Sequence, residues 1–272
     1  MCGERAMFKI IFSDIDGTLI NDALEVTPKT RQALNDAVNS GVRFVPVSAR
    51  MSEAIKPIIK DFLPQVPMIS YNGAFIQDEN GQVIDSCPMS PQAAQAICQY
   101  LEKEVPDVAW NVYSGKKWLS QNRMNKWISR EEKVVGLVSQ EADLEAIGHL
   151  SEVHKLLLMG EPEKMVVLEE KLRELYPGLS IARSLPYYIE VMANGIQKGR
   201  AVNLLADHYG VDMSETLAFG DNFNDLDMLE AAGEAYVMAN APKEVKERIG
   251  HVTANHNHDG IALVLEKFKL AR

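Results

Sequence analysis

The sequence is poor in cysteine, has no long apolar run and shows no excess of basic residues. Cys2, Cys87 and Cys98 are the only cysteines in 272 residues. An odd number without regular spacing gives neither a disulfide framework nor a zinc site, and fits a reducing cytoplasm. No apolar run approaches the roughly 18 residues of a membrane span. The opening MCGERAMFKIIFSD is interrupted by acids too soon for a signal peptide. Its first six residues read as a flexible start or an appended remnant. Lys and Arg number 28 against 38 Asp and Glu, a formal net charge of −10. That balance argues against a nucleic-acid partner, which needs a basic face. Neither a repeat nor a low-complexity tract is present.

What is present is an α/β rhythm. Phe8 to Ser13 reads as a buried strand. TPKTRQALNDAVNSG then reads as a helix, with Thr27 as N-cap, Pro28 at its first position and Gly41 at its end. VRFVPVSAR is a second strand, MSEAIKPIIKDFL a second helix with Pro57 near a kink or start, and PMISY a third strand. This spacing predicts parallel βαβ units. AFIQDENGQVIDS, with Asn80-Gly81 between two β-prone runs, predicts a hairpin. Mixed helices and strands fill the chain from 87 to 192, and the α/β rhythm returns after Asn194-Gly195. The expected fold is a doubly wound, Rossmann-like parallel-sheet core, residues 1–86 and 193–272, with a smaller α+β domain inserted at 87–192.

Ligands of such sheets bind at the carboxyl ends of the strands. The polar residues predicted there are Asp14 and Asp16, Ser48, Asn72, and Asp221 with Asp225. Asp14 and Asp16, two apart in an extended segment, point to the same side and need a cation or proton between them. Asp221 and Asp225, four apart in GDNFND, can share one helical face. Several carboxylates at one edge suit a hard cation such as Mg²⁺, which often bridges to a substrate phosphate. The blander reading of GDNFND is a turn with an N-cap. Lys198 is either a solvated helix-start lysine or the cation that offsets these carboxylates and holds a phosphate oxygen. Ser48 can cap a helix, donate to phosphate, or both. Gly17 and Thr18 allow a sharp turn whose N–H groups can form an anion nest.

DIDGTLI, VPVSAR, IQKG and GDNFND, in this order and spacing, resemble the four motifs of the haloacid dehalogenase-like phosphohydrolases. The insert, YNGA at 71–74 and SLPYYIEVM at 184–192 resemble the Cof-type branch with a C2B cap, and the resemblance covers the chain from Phe8 on. It implies that Asp14 is a nucleophile forming an aspartyl-phosphate. It makes Asp16 the acid and then the base. Mg²⁺ is then held by Asp14, the backbone carbonyl of Asp16 and Asp221, with Asp225 orienting the metal shell. Ser48, Lys198, Asn224 and the amides of Ile15 and Ala49 are implied to bind the transferring phosphoryl group. Arg50, Asn72 and Gly73 are candidate substrate contacts, with pairing to an acid the other reading of Arg50. Asp16 also sorts the branches: dehalogenase relatives lack it and the metal site, and P-type pumps carry Thr there and long membrane spans.

The expected activity is Mg²⁺-dependent hydrolysis of a small phosphorylated metabolite, such as a sugar phosphate or phosphorylated cofactor, in the cytoplasm. The alternatives are a phosphomutase using the same two acids and a non-catalytic phosphometabolite sensor. His256 and His258 read as polar loop residues rather than metal ligands. Trp110, Trp118 and Trp127 read as packing residues rather than a stacking platform. Of Tyr187 and Tyr188, one is expected to face a cleft and the other the interior of the insert.

Overall fold

The computed structural model describes residues 8–271; the reading of the first six residues and of Cys2 lies outside them. The chain forms two compact units. One comprises the described residues through Asp85 and those from Gln197 on, and the other is Ser86–Ile196.

The first unit opens with β1 (Ile10–Ser13), α1 (Pro28–Asn39), β2 (Arg43–Pro46), α2 (Ser52–Ile59), β3 (Met68–Ser70), β4 (Phe75–Gln77) and β5 (Val83–Ser86). The second follows with α3 (Pro91–Glu104), β6 (Ala109–Ser114), β7 (Lys117–Ser120), α4 (Lys126–Val135), β8 (Gln140–Glu141), α5 (Leu144–Gly148), β9 (Lys155–Met159), α6 (Pro162–Leu175), β10 (Leu179–Leu185) and β11 (Tyr188–Ala193). The first unit resumes with α7 (Lys198–His208), β12 (Thr216–Gly220), α8 (Leu226–Ala231), β13 (Glu234–Met238), α9 (Lys243–Ile249), β14 (Val252–Thr253) and α10 (Gly260–Lys267).

The first unit is built on a parallel sheet of order β14-β13-β12-β1-β2. Alternation along its strands supplies two apolar faces. Ile11, Phe44 and Phe219 pack with Leu34 of α1 and Ile261 and Leu265 of α10. Ile10, Phe12, Val45 and Ala218 pack with Leu205 of α7, Met228 of α8 and Val245 of α9. The start of α1 is fixed locally: the Thr27 hydroxyl accepts from the Thr30 N–H, and Pro28 occupies the first turn. Gly41, at φ +99°, follows the helix end. Pro57 lies inside α2, which ends two residues later.

The third strand departs from the expected βαβ series. β3 joins β4 and β5 in a separate three-stranded sheet and runs antiparallel to β4. Only an isolated parallel bridge, Val47 to Ile69, links it to the end of β2. The hairpin that follows supplies a nearer, antiparallel partner for this short strand. Its turn has Gly81 at φ +77°, and the Asp78 side chain accepts from the N–H groups of Asn80 and Gln82.

The second unit is a mixed sheet of order β10-β11-β9-β6-β7-β8, antiparallel except for the parallel β7–β8 pair. Its core joins Trp110, Val112, Leu156, Leu158 and Ile189 to Ile97 and Leu101 of α3 and Leu168 and Leu172 of α6. The tryptophans pack as expected. Trp110 is fully buried, Trp118 stacks on Tyr113, and Trp127 stacks on Tyr187. Among the described residues no helix is long and apolar enough to cross a membrane.

Candidate active site

Strand β1 ends at Ser13, and the Asp14 N–H donates to the Phe219 carbonyl of β12 at 3.0 Å. On the other side the Val47 N–H donates to Ser13, and the Ser48 N–H to Ile69. The carboxyl ends of β1, β2, β3 and β12 are thereby tied together by backbone bonds. Asp14 is buried, and so is Lys198, the first residue of α7. The Lys198 ammonium donates to Asp14 Oδ1 and Asp225 Oδ1, each at 2.6 Å. The other oxygen of Asp225 accepts from the N–H groups of Asp221 and Asn222, both at 2.9 Å. Lys198 is therefore a buried counter-ion, not a solvated helix start.

Close backbone approach builds this arrangement. A Cβ on Gly17, which has φ +80°, would lie 2.4 Å from Asp221 Oδ2. A Cβ on Gly73 would lie 2.7 Å from the Gln197 carbonyl, just before Lys198. Gly73 thus lets the turn after β3 press against the start of α7.

Carboxylate oxygens of Asp14, Asp221 and Asp225 lie within 4.8 Å of one another. Burial raises the Asp14 carboxyl well above its ordinary value; Lys198 opposes this, while Asp225 and Asp16 add to it. Burial, with Asp225 beside it, pushes Asp221 up to about 6. Burial alone would lower the Lys198 ammonium, but Asp14 and Asp225 outweigh it and raise its pKa. Burial is the largest single cause for each group; Lys198 stays charged between Asp14 and Asp225, and with Asp221 close by the carboxylates outnumber the one ammonium. A donor set made only of oxygens, with unneutralised charge, fits a hard divalent cation.

Other predicted residues sit differently from their sequence reading. The extended segment stops at Ser13, so strand alternation does not carry through to Asp16. Asp16 is exposed, and its carboxylate takes both Arg50 Nε at 2.8 Å and an Arg50 terminal nitrogen at 2.6 Å. Asp221 and Asp225 do not share a helical face. Asp221 lies in the loop after β12, and Asp225 ends the 3₁₀ turn Phe223–Asp225. The coupling between them is that Asp225 accepts the Asp221 N–H. Ser48 does not cap a helix: the N-cap of α2 is Met51, without a side-chain bond. The Ser48 hydroxyl instead accepts from the Arg50 N–H at 3.1 Å, and its carbonyl from Asn72 at 2.9 Å.

Ile15 buries its side chain in the core, and its carbonyl accepts from Thr18, Leu19 and Ile20. Ala49 lies between Ser48 and Arg50, partly buried. Asn72 adopts φ 54° and receives the Asn224 side-chain amide at 3.4 Å. In the polar loop, His256 pairs with Asp22 and His258 with Asn255.

Two side chains at the site escaped the sequence reading. Asp227 accepts the Gly199 N–H at 2.7 Å and anchors the start of α7. Asn240 donates to the Gly17 carbonyl at 2.9 Å and to Asp221 Oδ2 at 3.1 Å. The available signal was its place just beyond a strand, at the same sheet edge as Asp14 and Asp221.

A family model for haloacid dehalogenase-like hydrolases matches residues 11–265. The chain belongs to that family. A Haemophilus influenzae protein with a provisional phosphatase name is 37% identical over 261 residues, covering 96% of this chain and 98% of its own. The 5-amino-6-(5-phospho-D-ribitylamino)uracil phosphatase YwtE of Bacillus subtilis is 28% identical over 283 residues, covering 95% and 97%. The solved structure of the subclass IIB sugar phosphatase BT4131 superposes with a TM-score of 0.79 at 25% identity, covering 96% and 99%. With relatives named as phosphatases matched along nearly its whole length, this chain is a phosphoric monoester hydrolase.

Proposed function

We propose that this haloacid dehalogenase-like chain is a Mg²⁺-dependent phosphatase of small phosphomonoesters, working through a phosphorylated Asp14. The observation that carries the reading is the buried Asp14, held by Lys198 beside Asp221 and Asp225. We assign the insert, 87–192, as a C2B-type cap whose residues set specificity. The names of the two relatives with stated substrates make phosphorylated sugars and polyol-bearing cofactor precursors the substrates to try first. Cys87 and Cys98 are free, which fits the cytoplasm.

In this reading Asp14 and Asp221, with the Asp16 carbonyl, would hold the metal. Asp225 has one oxygen on Lys198 and the other on two N–H groups, so it orients the cluster. Bound Mg²⁺ supplies positive charge against the phosphoryl oxygens, the main requirement of phosphoryl transfer. An Asp14 oxygen attacks phosphorus as the ester P–O bond breaks, and the leaving oxygen takes the electron pair and a proton from Asp16. Water then attacks the phosphorylated Asp14, Asp16 takes the water proton, and the Asp14 oxygen–phosphorus bond breaks to release phosphate. Lys198, Ser48, Asn224 and the amides of Ile15 and Ala49 bind the group in transfer. Arg50, Asn72 and Gly73 would contact the leaving group, and Arg50 would have to yield Asp16 during turnover.

The test is phosphate release from p-nitrophenyl phosphate with Mg²⁺. The parent should turn over, and Asp14→Asn should not, with its circular dichroism unchanged. An Asp14→Asn rate above about one hundredth of the parent, a loss under about 2.7 kcal/mol of barrier, overturns the nucleophile assignment.

A further inference from the structure

Asn240 lies outside every motif that marks the site, yet each polar group of its side chain is used by a different loop. One amide nitrogen supplies two protons, to the Gly17 carbonyl at 2.9 Å and to Asp221 Oδ2 at 3.1 Å. Its oxygen accepts the His256 N–H at 3.3 Å. The orientation is fixed by these partners, because a flipped amide would set its oxygen against two other oxygens. His256 is held in turn by Asp22, whose carboxylate also takes the Asn257 amide, each at 2.9 Å.

The other oxygen of Asp221 is served separately, by the Thr18 hydroxyl at 3.0 Å. Each carboxylate oxygen of Asp221 thus has one neutral donor from another loop. Neutral donors fix the plane of a carboxylate without cancelling its charge, as a Lys or Arg would. The Gly17 carbonyl belongs to the turn that follows Asp14 and Asp16, so the same amide ties that turn to Asp221.

We infer that Asn240 is a positioning residue for the cation site: it sets the orientation of Asp221 against the Gly17 turn and so sets the affinity for Mg²⁺. This rests on the Mg²⁺ reading above. Groups that orient a ligand from behind typically carry 10–100-fold in metal affinity, and one of two donors on Asp221 should sit at the low end.

The experiment is calorimetric titration of Mg²⁺ into the full chain, parent and Asn240→Ala, without substrate. Asn240 is exposed, so the substitution opens no core cavity. Expected is a dissociation constant raised about tenfold, with a matching rise in the Mg²⁺ needed for half-maximal phosphate release and recovery of activity at high Mg²⁺. Parent-like Mg²⁺ affinity in Asn240→Ala overturns the inference and leaves the phosphatase reading standing. A parent that takes up no Mg²⁺ overturns both.

Discussion

The two units handle buried polarity in opposite ways. In Ser86–Ile196 the buried groups close on one another. Gly115 N–H donates to His154 Nδ1, which leaves the Nε2 proton facing the Ser86 hydroxyl at 3.0 Å, and Ser86 donates to Glu152 at 2.9 Å. Burial pushes the His154 imidazole below its ordinary value, so it remains neutral. Asn111 takes the Trp118 indole N–H at 2.8 Å and gives its amide to the Leu157 carbonyl. Tyr188 donates to Glu131. These are donor–acceptor pairs that satisfy each other and specify packing.

The parallel-sheet unit instead gathers Asp14, Asp221 and Asp225 around Lys198 and leaves charge unbalanced. A cluster that closes on itself needs nothing further, whereas one left in excess is organised for a ligand. The difference separates polarity that holds a fold from polarity that does chemistry.

Breaking the counter-ion should have the largest effect. Lys198→Met leaves Asp14 and Asp225 buried without their ammonium, and should cost about 3–5 kcal/mol in urea unfolding. A loss as small as that of an exposed lysine would mean the ammonium is not the counter-ion. Next comes a pair inside the insert. Tyr188→Phe removes the donor to Glu131 and should cost about 1–3 kcal/mol, while Mg²⁺ affinity stays at the parent value. A shift in that affinity would erase the distinction between the two units.

The last expected effect is on pH dependence. Asp221 titrates at about 6 in the folded chain against an ordinary 3.8. The folded state therefore binds this proton more tightly. Its contribution to stability is fully present below the ordinary value and is lost as pH rises through the folded one. In EDTA the unfolding temperature of the parent, measured relative to Asp221→Asn, should fall by a few degrees across that window. Mg²⁺ should restore it at neutral pH. A parent-minus-variant difference that stays flat with pH would show that Asp221 carries no such excess charge.

Much of the site was legible because a parallel α/β sheet sends every strand end to one edge. Asp14 and Asp221 could be placed there from the spacing of apolar runs, whereas Lys198 could also be read as a solvated helix start. What the spacing could not give were contacts made across loops. Arg50 reaches Asp16 from a different strand end, and although an acid was one reading of its partner, nothing in SAR or DIDGT says which acid. Ser48 looked like a cap, but α2 starts four residues later and its hydroxyl turns to the Arg50 N–H. Asn240 gave no motif, because a single Asn after a strand is ordinary until its amide is seen between Gly17 and Asp221.

By itself, the sequence determined the α/β core, its interruption by a second unit, the helix start at Thr27 and Pro28, and the family. Each follows from local periodicity, capping chemistry or short motifs. Only the tertiary structure decided which sheet β3 joins, that Lys198 is buried between two carboxylates, and that Asp221 is held by Thr18 and Asn240. Those depend on side chains up to 203 positions apart, as Thr18 and Asp221 are, meeting after the backbone has closed. The energy of such a meeting is set by burial and distance, which no local stretch of sequence encodes.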